Sequence, residues 1–506
     1  MHNNKVILYI LDGWGIGEKI NNNAIYMAKT PFYDYLYKNY PNSTLKTHGQ
    51  HVGLPNDQFG NSEVGHMNIG SGRVIDQDLV RINNSIKYNE LIYNESLINI
   101  ISLIKNHNKK LHILGLVSDG GVHSHINHLI AILKILKKND ISDHVYIHAI
   151  TDGRDNNQYS SLKHIQRIQY ICKNTVGKLS TVMGRYYAMD RDKKWERTKI
   201  AYDALVYGKG HLTNNFIESI KNSHSNGKTD EFILPLIKNN EGYPLSTLNN
   251  NDIVLSFNYR TDRTRQITEV LTQIPVNKML PLKLNYYTMT CYNDTYKNIN
   301  IIFPKKNVPM TLGEVLSQNN MTQLRIAESE KFPHVTYFFS GGIHNAFIKE
   351  DRVSISSPAV KSYDLIPQMS ISNLEKKLSY SINSNKYNFI CVNIANPDMV
   401  GHTGNFHSTV KAIEHVDSFL EKSIKNAIKC LYTILIISDH GNAEYMFDLN
   451  SKMSNTTHTC NLTPLILLHN DAKHIESGRL CDIAPTILKI MNLNIPFEMK
   501  GNILIK

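Results

Sequence analysis

The sequence predicts an α/β protein built from two units. Apolar runs of strand length at residues 6–11, 389–394 and 432–437 are each followed by a polar turn. Continuous apolar runs of this kind are typical of strands that are buried on both faces of a parallel sheet. Between about Arg73 and Asn307 the chain has its own alternation of strand-like and helix-like segments. We therefore expect a first unit that is interrupted by an inserted second one, which suits a chain of 506 residues.

Composition excludes several classes of protein. Hydrophobic residues make up 41% and charged residues 20% of the chain, as in ordinary globular proteins. No apolar run approaches the roughly 18 residues that span a bilayer, so a membrane protein is not expected. Residues 6–11 resemble a short signal segment, but Asp12 interrupts them and no small-residue cleavage site follows. The six cysteines form no CxxC pair, which argues against a disulfide framework and favours a reducing, cytoplasmic setting.

The positive charge of the chain raises the possibility of nucleic-acid binding. The formal net charge is +11 and the sequence pI is about 9.0. Clustered lysines and arginines bind phosphate backbones, but here they are dispersed and no aromatic-basic ladder accompanies them. We therefore expect neither a nucleic acid nor a membrane as a partner.

Carboxylates and imidazoles follow the predicted strands of the first unit. Three aspartates come after three apolar runs, and the carboxyl ends of parallel strands meet at one edge of a sheet. Taken alone, Asp12 could be an ordinary Asp-Gly turn residue, and a lone histidine is more often a core residue. Together these groups are typical of a two-metal hydrolase or transferase. The candidate ligands are Asp12, Asp398, His402, Asp439, His440 and His458.

A glycine-rich segment at residues 60–70 is difficult to explain by packing. Its glycines allow a ligand to approach the backbone, and Ser62 lies where a helix can begin. Ser62 could be a helix N-cap with Glu63 in the first turn, or a nucleophile among free backbone N–H groups. The two interpretations are compatible, because the helix dipole favours both.

The inserted region carries arginines in loop-like surroundings. Its predicted strands at residues 111–117 and 145–150 both lead into Asp-Gly turns, which indicates a second crevice. A guanidinium matches two oxygens of a carboxylate or phosphate at once, so several of them would suit a small, multiply charged anion. Any single one could be a solvated surface residue. The set is Arg154, Arg185, Arg191, Arg260 and Arg263.

After residue 307 the first unit resumes. Lys331 lies among acidic residues, and the sequence predicts an apolar strand at residues 335–339 followed by a Gly341-Gly342 turn.

The chain resembles the cofactor-independent phosphoglycerate mutases of the alkaline phosphatase superfamily. The resemblance runs along nearly the whole chain and is carried by residues 60–70, 328–342, 395–404 (ANPDMVGHTG) and 439–444, in that order. It departs from the usual family pattern only at Phe59, Lys194, Thr261 and Ser340. It implies an α/β, alkaline-phosphatase-like metal-binding domain, discontinuous in sequence at residues 1–76 and 309–506. An α/β transferase domain would be inserted at residues 77–308.

The resemblance also implies an activity and its residues. The expected reaction is the interconversion of 2- and 3-phosphoglycerate in glycolysis and gluconeogenesis, through a phosphoserine, in a cytoplasmic monomer. Two divalent ions, usually manganese, would be bound, and 2,3-bisphosphoglycerate would not be needed. The first ion maps onto Asp398, His402 and His458, and the second onto Asp12, Ser62, Asp439 and His440. The substrate residues map onto His123, Arg154, Asp155, Arg185, Arg191, Arg260, Arg263 and Lys331.

The side chains suggest how such a reaction would run. Ser62 would take the phosphoryl group, Lys331 would offset its charge, and Asp155 would be a general base near His123. Two alternatives remain open at this point. A metal phosphatase or phosphopentomutase-like enzyme would share Asp439 and His440 without needing the arginines, and a non-catalytic anion-binding or nucleic-acid-binding protein would need no metal.

Overall fold

Two sheets form the centres of two units of the chain. The computed structural model describes residues 5–305, 307–469 and 473–505. Its contacts divide the chain into one unit of residues 1–77 with 307–506 and a second unit of residues 78–306. The first unit contains an eight-stranded sheet and the second a nine-stranded sheet, both flanked by helices. The predicted α/β fold class is confirmed.

The strands alternate with helices along most of the chain. In chain order the strands are β1 Val6–Leu11, β2 Asn42–Lys46, β3 Leu111–Leu116, β4 Val145–Thr151, β5 Lys178–Gly184, β6 His211–Thr213, β7 Leu236–Asn240, β8 Tyr243–Pro244, β9 Ile253–Ser256, β10 Asn285–Thr288, β11 Ile299–Ile301, β12 Gln323–Glu328, β13 Glu350–Ile355, β14 Phe389–Ile394, β15 Thr433–Ile437, β16 Thr463–Leu468 and β17 Gly478–Arg479.

The helices range from single turns to one of 24 residues. They are α1 Ala24–Met27, α2 Pro31–Asn39, α3 Ser62–Ser71, α4 Asp78–Lys87, α5 Glu95–His107, α6 Ile126–Lys138, α7 Ser161–Asn174, α8 Arg185–Ala188, α9 Trp195–Tyr207, α10 Phe216–Ser225, α11 Arg265–Thr272, α12 Leu312–Gln318, α13 Ile371–Asn383, α14 Asn396–Gly401, α15 Phe406–Lys429 and α16 Ile483–Ile490. Short 3-10 turns lie at Gly49–Val52, Leu91–Tyr93, Asp230–Phe232, Tyr363–Leu365 and Leu480–Asp482.

The sheet of the first unit has β1 near its centre. The strand order is β13-β12-β14-β1-β15-β16-β2-β17, and the pairs from β13 to β15 are parallel. All six residues of β1 are buried. Because side chains alternate across a strand, Leu8 packs into the core on one face, whereas Tyr9 packs into the core on the other. The continuous apolar run of β1 therefore results from burial on both faces.

The sheet of the second unit is also mainly parallel. Its order is β11-β10-β9-β3-β4-β5-β7-β6, with β8 paired to β7. The pairs from β11 to β5 are parallel, and β7 is antiparallel to β5. Two apolar clusters cover its faces. The Asp-Gly turns that follow β3 and β4 lie at the carboxyl ends of neighbouring strands, as in other open parallel sheets.

The predicted strand at residues 335–339 is wrong. The structure has a π-helical turn at His334–Phe338 instead, and the strand of this region is β12, in which Gln323, Arg325 and Glu328 interrupt the apolar residues without regular alternation. A run of four apolar residues and one threonine cannot be assigned to a strand or a helix by periodicity alone. Here the chain enters the turn through Pro333, which already has helical backbone angles. The π turn packs against α3, so the run is apolar because it is buried as a helix.

The cap of α3 resolves the two interpretations of Ser62. Asn61 is the N-cap, and its side chain accepts a hydrogen bond from the Val64 backbone N–H. Ser62 is the first helical residue, and its hydroxyl is therefore not used to cap the helix.

No helix within the described residues combines the length and the apolar character that crossing a bilayer requires.

The buried imidazole of His128 predicts a pH dependence of stability in the second unit. Burial lowers the pKa of His128 to about 3, and its Nε2 lies 2.9 Å from Asn83 Oδ1. Below pH 6.5 the unfolded chain takes up a proton that the folded chain refuses, so stability falls on acidification. We expect His128→Gln to remove about 2 kcal/mol of the stability loss between pH 7 and 5, measured by urea unfolding at both values.

Asn83→Ala is the matched control, because it removes the partner of His128 and keeps the imidazole. It should retain the pH dependence of the unmodified protein. Parallel stability curves for His128→Gln and the unmodified protein would contradict this prediction.

Candidate metal centre and arginine cluster

Three neighbouring strands carry the candidate ligands to one edge of the first sheet. Asp12 directly follows β1, Asp398 lies in α14 just after β14, and Asp439 follows β15 by two residues. These strands are adjacent and parallel in the order β14-β1-β15. Their side chains form two groups, and within each group one ligand atom per residue lies within 4.8 Å of the others. The first group is Asp398, His402 and His458, and the second is Asp12, Asp439 and His440.

The first group is arranged around one carboxylate oxygen. His402 Nε2 and His458 Nε2 each lie 3.2 Å from Asp398 Oδ1, and they lie 3.0 Å from each other. Each Nδ1 donates a hydrogen bond of 2.8 Å to a backbone carbonyl, that of Thr456 or Gly60. A carbonyl only accepts, so in the neutral rings both Nε2 lone pairs point at the same place. A shared divalent cation fits this donor set.

Charges around the first group favour ionised Asp398. Burial opposes ionisation, but Lys331 and the two imidazoles hold the pKa of Asp398 well below its usual range. The hydrogen bond to Asp398 raises the pKa of His402. The site is therefore strongly attractive to positive charge.

The second group is completely buried. Asp12, Asp439 and His440 have no exposed surface. Asp439 Oδ1 has no hydrogen-bond partner among the described residues, and Asp439 Oδ2 lies 3.3 Å from His66 Nδ1, which donates to the Ser62 carbonyl. A buried carboxylate without donors is costly. Burial and the charge of Asp439 raise the pKa of Asp12, so two carboxylates compete for too little positive charge. A divalent cation fits here as well.

Lys331 lies between the two groups. Its Nζ is 2.8 Å from Asp12 Oδ1, 2.6 Å from Asp398 Oδ2 and 2.8 Å from Ser62 Oγ. Burial opposes its charge, but the neighbouring aspartates raise the pKa of Lys331 above its ordinary value. Ser62 Oγ also lies 2.9 Å from His440 Nε2 and 3.2 Å from Asp12 Oδ1. The hydroxyl thus contacts the lysine and members of the second group at once.

An opening of about 400 Å³ leads to these side chains. It is lined by Ser62, Lys331, Asp398, His402 and His458, together with Asn61, Glu63, Glu330, His334 and Met399. This volume is within the range of small-molecule sites.

Asn393 and His66 support the second group and were not predicted. Asn393 Nδ2 donates to Asp12 Oδ2 at 2.7 Å and lies 3.1 Å from His66 Nε2. His66 lies within the glycine-rich segment 60–70, but Asn393 is inside the apolar strand β14. The one polar residue in that run was the available signal, because a buried asparagine needs partners.

In the second unit, four of the five predicted arginines line one cavity. The cavity measures about 310 Å³ and its lining includes Arg154, Arg185, Arg191 and Arg263. The fifth, Arg260, is not in this lining, and its Nε lies 3.1 Å from Asp262 Oδ1. The cavity has room for a small anion.

Carboxylates are interleaved with the guanidinium groups. Arg185 is buried, and its Nη1 donates to Asp152 Oδ1 at 2.7 Å and to Asp155 Oδ2 at 2.5 Å. His123 Nε2 lies 3.5 Å from Asp155 Oδ2, and its Nδ1 lies 3.7 Å from Asp262 Oδ1. Burial, aided by Arg185, lowers the pKa of His123 to about 4, so the ring is neutral at neutral pH.

Several residues of this cluster were not predicted as site residues, including Asp152, which accepts a hydrogen bond from Arg185. Arg197 lines the cavity and lies over the Tyr186 ring at 4.0 Å. Glu231 lies 3.6 Å from Arg154, and Asp262 lies 2.9 Å from Arg191. Asp262 stands in the sequence close to two predicted arginines, which was a usable signal, whereas nothing in the sequence brings Glu231 to Arg154.

Comparisons with known proteins identify the family. Residues 4–495 match the family model described as Metalloenzyme superfamily. A 2,3-bisphosphoglycerate-independent phosphoglycerate mutase of Flavobacterium psychrophilum is 46% identical, over 99% of this chain and all of that protein. The protein of the same name from Clostridium botulinum strain Langeland is 44% identical over the full length of both. The chain belongs to the 2,3-bisphosphoglycerate-independent phosphoglycerate mutase family.

A solved structure agrees with this assignment. Phosphoglycerate mutase of Leishmania mexicana, crystallised at low cobalt concentration, is 26% identical to this chain. The match has a TM-score of 0.63 and covers 99% of this chain and 97% of that one. The predicted resemblance is confirmed, and the chain is an enzyme of the phosphoglycerate mutase family. Its membership of the metalloenzymes and its two ligand groups support the use of divalent metal.

The contacts of Lys331 predict that the lysine and a bound metal ion both stabilise the folded protein, because both offset the charge of the buried carboxylates. Lys331→Met should destabilise the metal-stripped protein by about 3 kcal/mol or more, because it leaves buried carboxylates without their cation. Added Mn²⁺ should offset part of this loss, so that Mn²⁺ raises the Tm of the variant more than that of the unmodified protein. Thermal unfolding with and without Mn²⁺ measures both effects.

Lys199→Met is the control, since Lys199 pairs with Asp203 in the second unit, whereas both ligand groups belong to the first. In this variant, Mn²⁺ should raise the Tm by the same amount as in the unmodified protein. An equal Mn²⁺ shift in Lys331→Met and the unmodified protein would speak against the shared role.

Proposed function

We propose that this enzyme interconverts 2- and 3-phosphoglycerate through a phosphoserine on Ser62, with two divalent ions and without 2,3-bisphosphoglycerate. The observation that carries the proposal is the position of Ser62 Oγ, 2.8 Å from Lys331 Nζ and 2.9 Å from His440 Nε2. The names of the relatives support the reaction. The proposed metal is manganese.

The proposed ligands are divided between two ions. Asp398, His402 and His458 would hold the first, and Asp12, Asp439, His440 and the Ser62 hydroxyl the second. When bound, the ions lower the pKa of a nearby hydroxyl and neutralise charge on phosphoryl oxygens. The orphaned oxygen of Asp439 and the converging imidazoles of the first group support this assignment.

Ser62 takes the phosphoryl group in the first half of the reaction. Its Oγ forms a bond to phosphorus as the ester bond of phosphoglycerate breaks, and the glycerate oxygen leaves as a hydroxyl, gaining one proton for the one that Ser62 loses. His440 Nε2 is within hydrogen-bond distance of the hydroxyl, but it is also the nitrogen that would bind the second ion, because His440 Nδ1 donates to the Gly441 carbonyl. The Ser62 proton would therefore be lost without a dedicated base, since a bound ion lowers the pKa of the hydroxyl. Lys331 offsets the charge on the phosphoryl oxygens. In the second half, the other hydroxyl of glycerate attacks phosphoserine.

Between the two halves the glycerate must stay bound. Guanidinium forks on its carboxylate, from Arg154, Arg185, Arg191, Arg260 and Arg263, would hold it while it turns. Asp155 is the proposed general base for the attacking hydroxyl, and His123 beside it, at 3.5 Å, would contact the same oxygens. The cavity lined by four of these arginines supports the assignment.

The two parts of the reaction correspond to the proposed domains. Residues 1–76 and 309–506 would be the metal-binding domain, and residues 77–308 the substrate-binding transferase domain. We also propose that the enzyme is a monomer. All six cysteines are unpaired, which supports a reducing cytoplasm.

Ser62→Ala tests the covalent step. We expect interconversion to fall at least about 10³-fold, since the group that accepts the phosphoryl is gone. Acid-quenched reactions with 3-phosphoglycerate, analysed by peptide mass spectrometry, should contain phosphorylated Ser62 in the unmodified protein alone. All assays are run with Mn²⁺ and without 2,3-bisphosphoglycerate.

Ser71→Ala is the matched control, because Ser71 is a buried serine of the same helix that bonds to the Arg73 carbonyl. It should keep its activity. Two results would refute the proposed function: interconversion by Ser62→Ala without a phosphoenzyme, or activity of the unmodified protein only when 2,3-bisphosphoglycerate is added.

Arg263→Lys tests the retention of glycerate. A lysine keeps the charge but loses the fork, so we expect KM for phosphoglycerate to rise about tenfold and phosphate release to increase relative to interconversion. Arg265→Lys is the control, since Arg265 Nε bonds to the Tyr292 carbonyl outside the cavity lining. If the unmodified enzyme released phosphate as its main product, the phosphatase alternative would replace the mutase.

A further inference from the structure

The carboxylate of Glu444, in the first unit, accepts four hydrogen bonds. Glu444 is 1% exposed. Its Oε2 accepts from the Gly15 N–H at 3.1 Å and from the Asn442 N–H at 2.8 Å. Its Oε1 accepts from Asn461 Nδ2 at 3.0 Å and from the Thr459 hydroxyl. All four donors are uncharged, so the carboxylate is satisfied by hydrogen bonds alone.

The donors belong to three loops, and each loop carries a proposed metal ligand. One donor lies three residues after Asp12, a second lies two residues after His440, and a third directly follows His458. These ligands come from both groups. One buried side chain therefore fixes the relative positions of loops that are more than 400 residues apart in sequence, as the 429-residue separation between Gly15 and Glu444 illustrates.

Asn442 extends this support to the remaining loop. Its backbone N–H is held by Glu444, and its Nδ2 donates to Asp398 Oδ1 at 2.8 Å. Asp398 Oδ1 is the oxygen on which His402 and His458 converge. Glu444 is thus linked to the ligand loops after β1, β14 and β15.

Glycines allow the loops to approach Glu444 this closely. A Cβ at Gly15 would lie 2.2 Å from the Glu444 carboxyl carbon, and a Cβ at Gly441 would lie 2.3 Å from Glu444 Oε1. Any side chain at these positions would displace the carboxylate. Gly15, Gly17, where a Cβ would also meet Glu444, and Gly441 are therefore required by the packing of Glu444.

We propose that Glu444 is a positioning residue for both metal centres. Within the described residues its carboxylate forms no hydrogen bond with a proposed ligand atom, and it acts by holding the loops from which the ligands project. Residues behind the ligands of a metal site commonly determine affinity in this way. The inference rests on the proposed two-metal function.

The test compares Mn²⁺ binding by Glu444→Gln and the unmodified full-length protein. Glutamine keeps the size of the side chain but turns an NH₂ group toward two of the four donors. Isothermal titration of Mn²⁺ into metal-stripped protein should give dissociation constants raised about 10- to 100-fold for both ions.

Asp417→Asn is the matched control for stability. Asp417 is a buried carboxylate of the same unit that accepts from the Tyr33 N–H at 2.7 Å and the Phe32 N–H at 3.3 Å. Like Glu444→Gln, this variant should lower Tm, but it should leave the Mn²⁺ dissociation constants unchanged.

The outcomes separate this inference from the function it rests on. Unchanged Mn²⁺ affinity in Glu444→Gln, with binding by the unmodified protein, would overturn the role of Glu444 alone. Absence of Mn²⁺ binding by the unmodified protein would overturn the two-metal function with it. If Glu444→Gln does not fold, Thr459→Val replaces it. That variant removes one of the four donors to Glu444, and we expect its Mn²⁺ affinity to fall about fivefold. An unchanged Mn²⁺ affinity would refute the proposal.

Discussion

The first unit depends on the burial of three carboxylates at one edge of its sheet. Asp12, Asp398 and Asp439 follow adjacent parallel strands, and all three are at most 2% exposed. Lys331 is the one lysine or arginine that forms an ion pair with any of them in the described part of the chain. Three carboxylates against one ammonium leave an excess of negative charge in a region of low dielectric. The fold therefore creates a strong demand for cations, and the imidazoles aimed at the same edge supply ligands suited to divalent ones.

The parallel sheet explains how much of this site the sequence could predict. The positions of candidate ligands such as Asp12 and Asp439 were predictable because each follows an apolar strand, and the carboxyl ends of neighbouring parallel strands lie at one edge of the sheet. The supporting residues were not, since the partners of Asn393 and Glu444 come from distant parts of the chain. A local pattern records that a residue is polar and buried. The local pattern does not show which hydrogen-bond donor, from a distant part of the chain, contacts that residue.

The same limit explains the errors in the fold. Strand β1 was predictable because burial on both faces makes it uniformly apolar. Strand β12 was not, because Arg325 lies in its middle. Its guanidinium is completely buried, 4.4 Å from the Phe339 ring and 5.0 Å from the Phe389 ring. Phe339 closes the π-helical turn that the sequence suggested was a strand. The contact between the buried guanidinium and these rings thus explains both errors: a strand that contains a charged residue, and a helical turn whose sequence is largely apolar.

The two units differ in the sign of the charge that they concentrate: carboxylates in the first and guanidinium groups in the second. The carboxylates of the first unit attract metal, which in turn makes its edge suitable for phosphoryl oxygens. The second unit presents guanidinium groups directly, but carboxylates such as Asp155 and Asp262 already pair with them. These internal pairs keep the arginines ordered and limit their attraction to any passing polyanion. A small anion that enters this cluster must compete with Asp155 and Asp262 for the guanidinium groups. It therefore binds most tightly if its own carboxylate and hydroxyls match the geometry of those groups. The net charge of +11 is therefore a poor guide to what this chain binds, and the local pairing of its arginines is a better one.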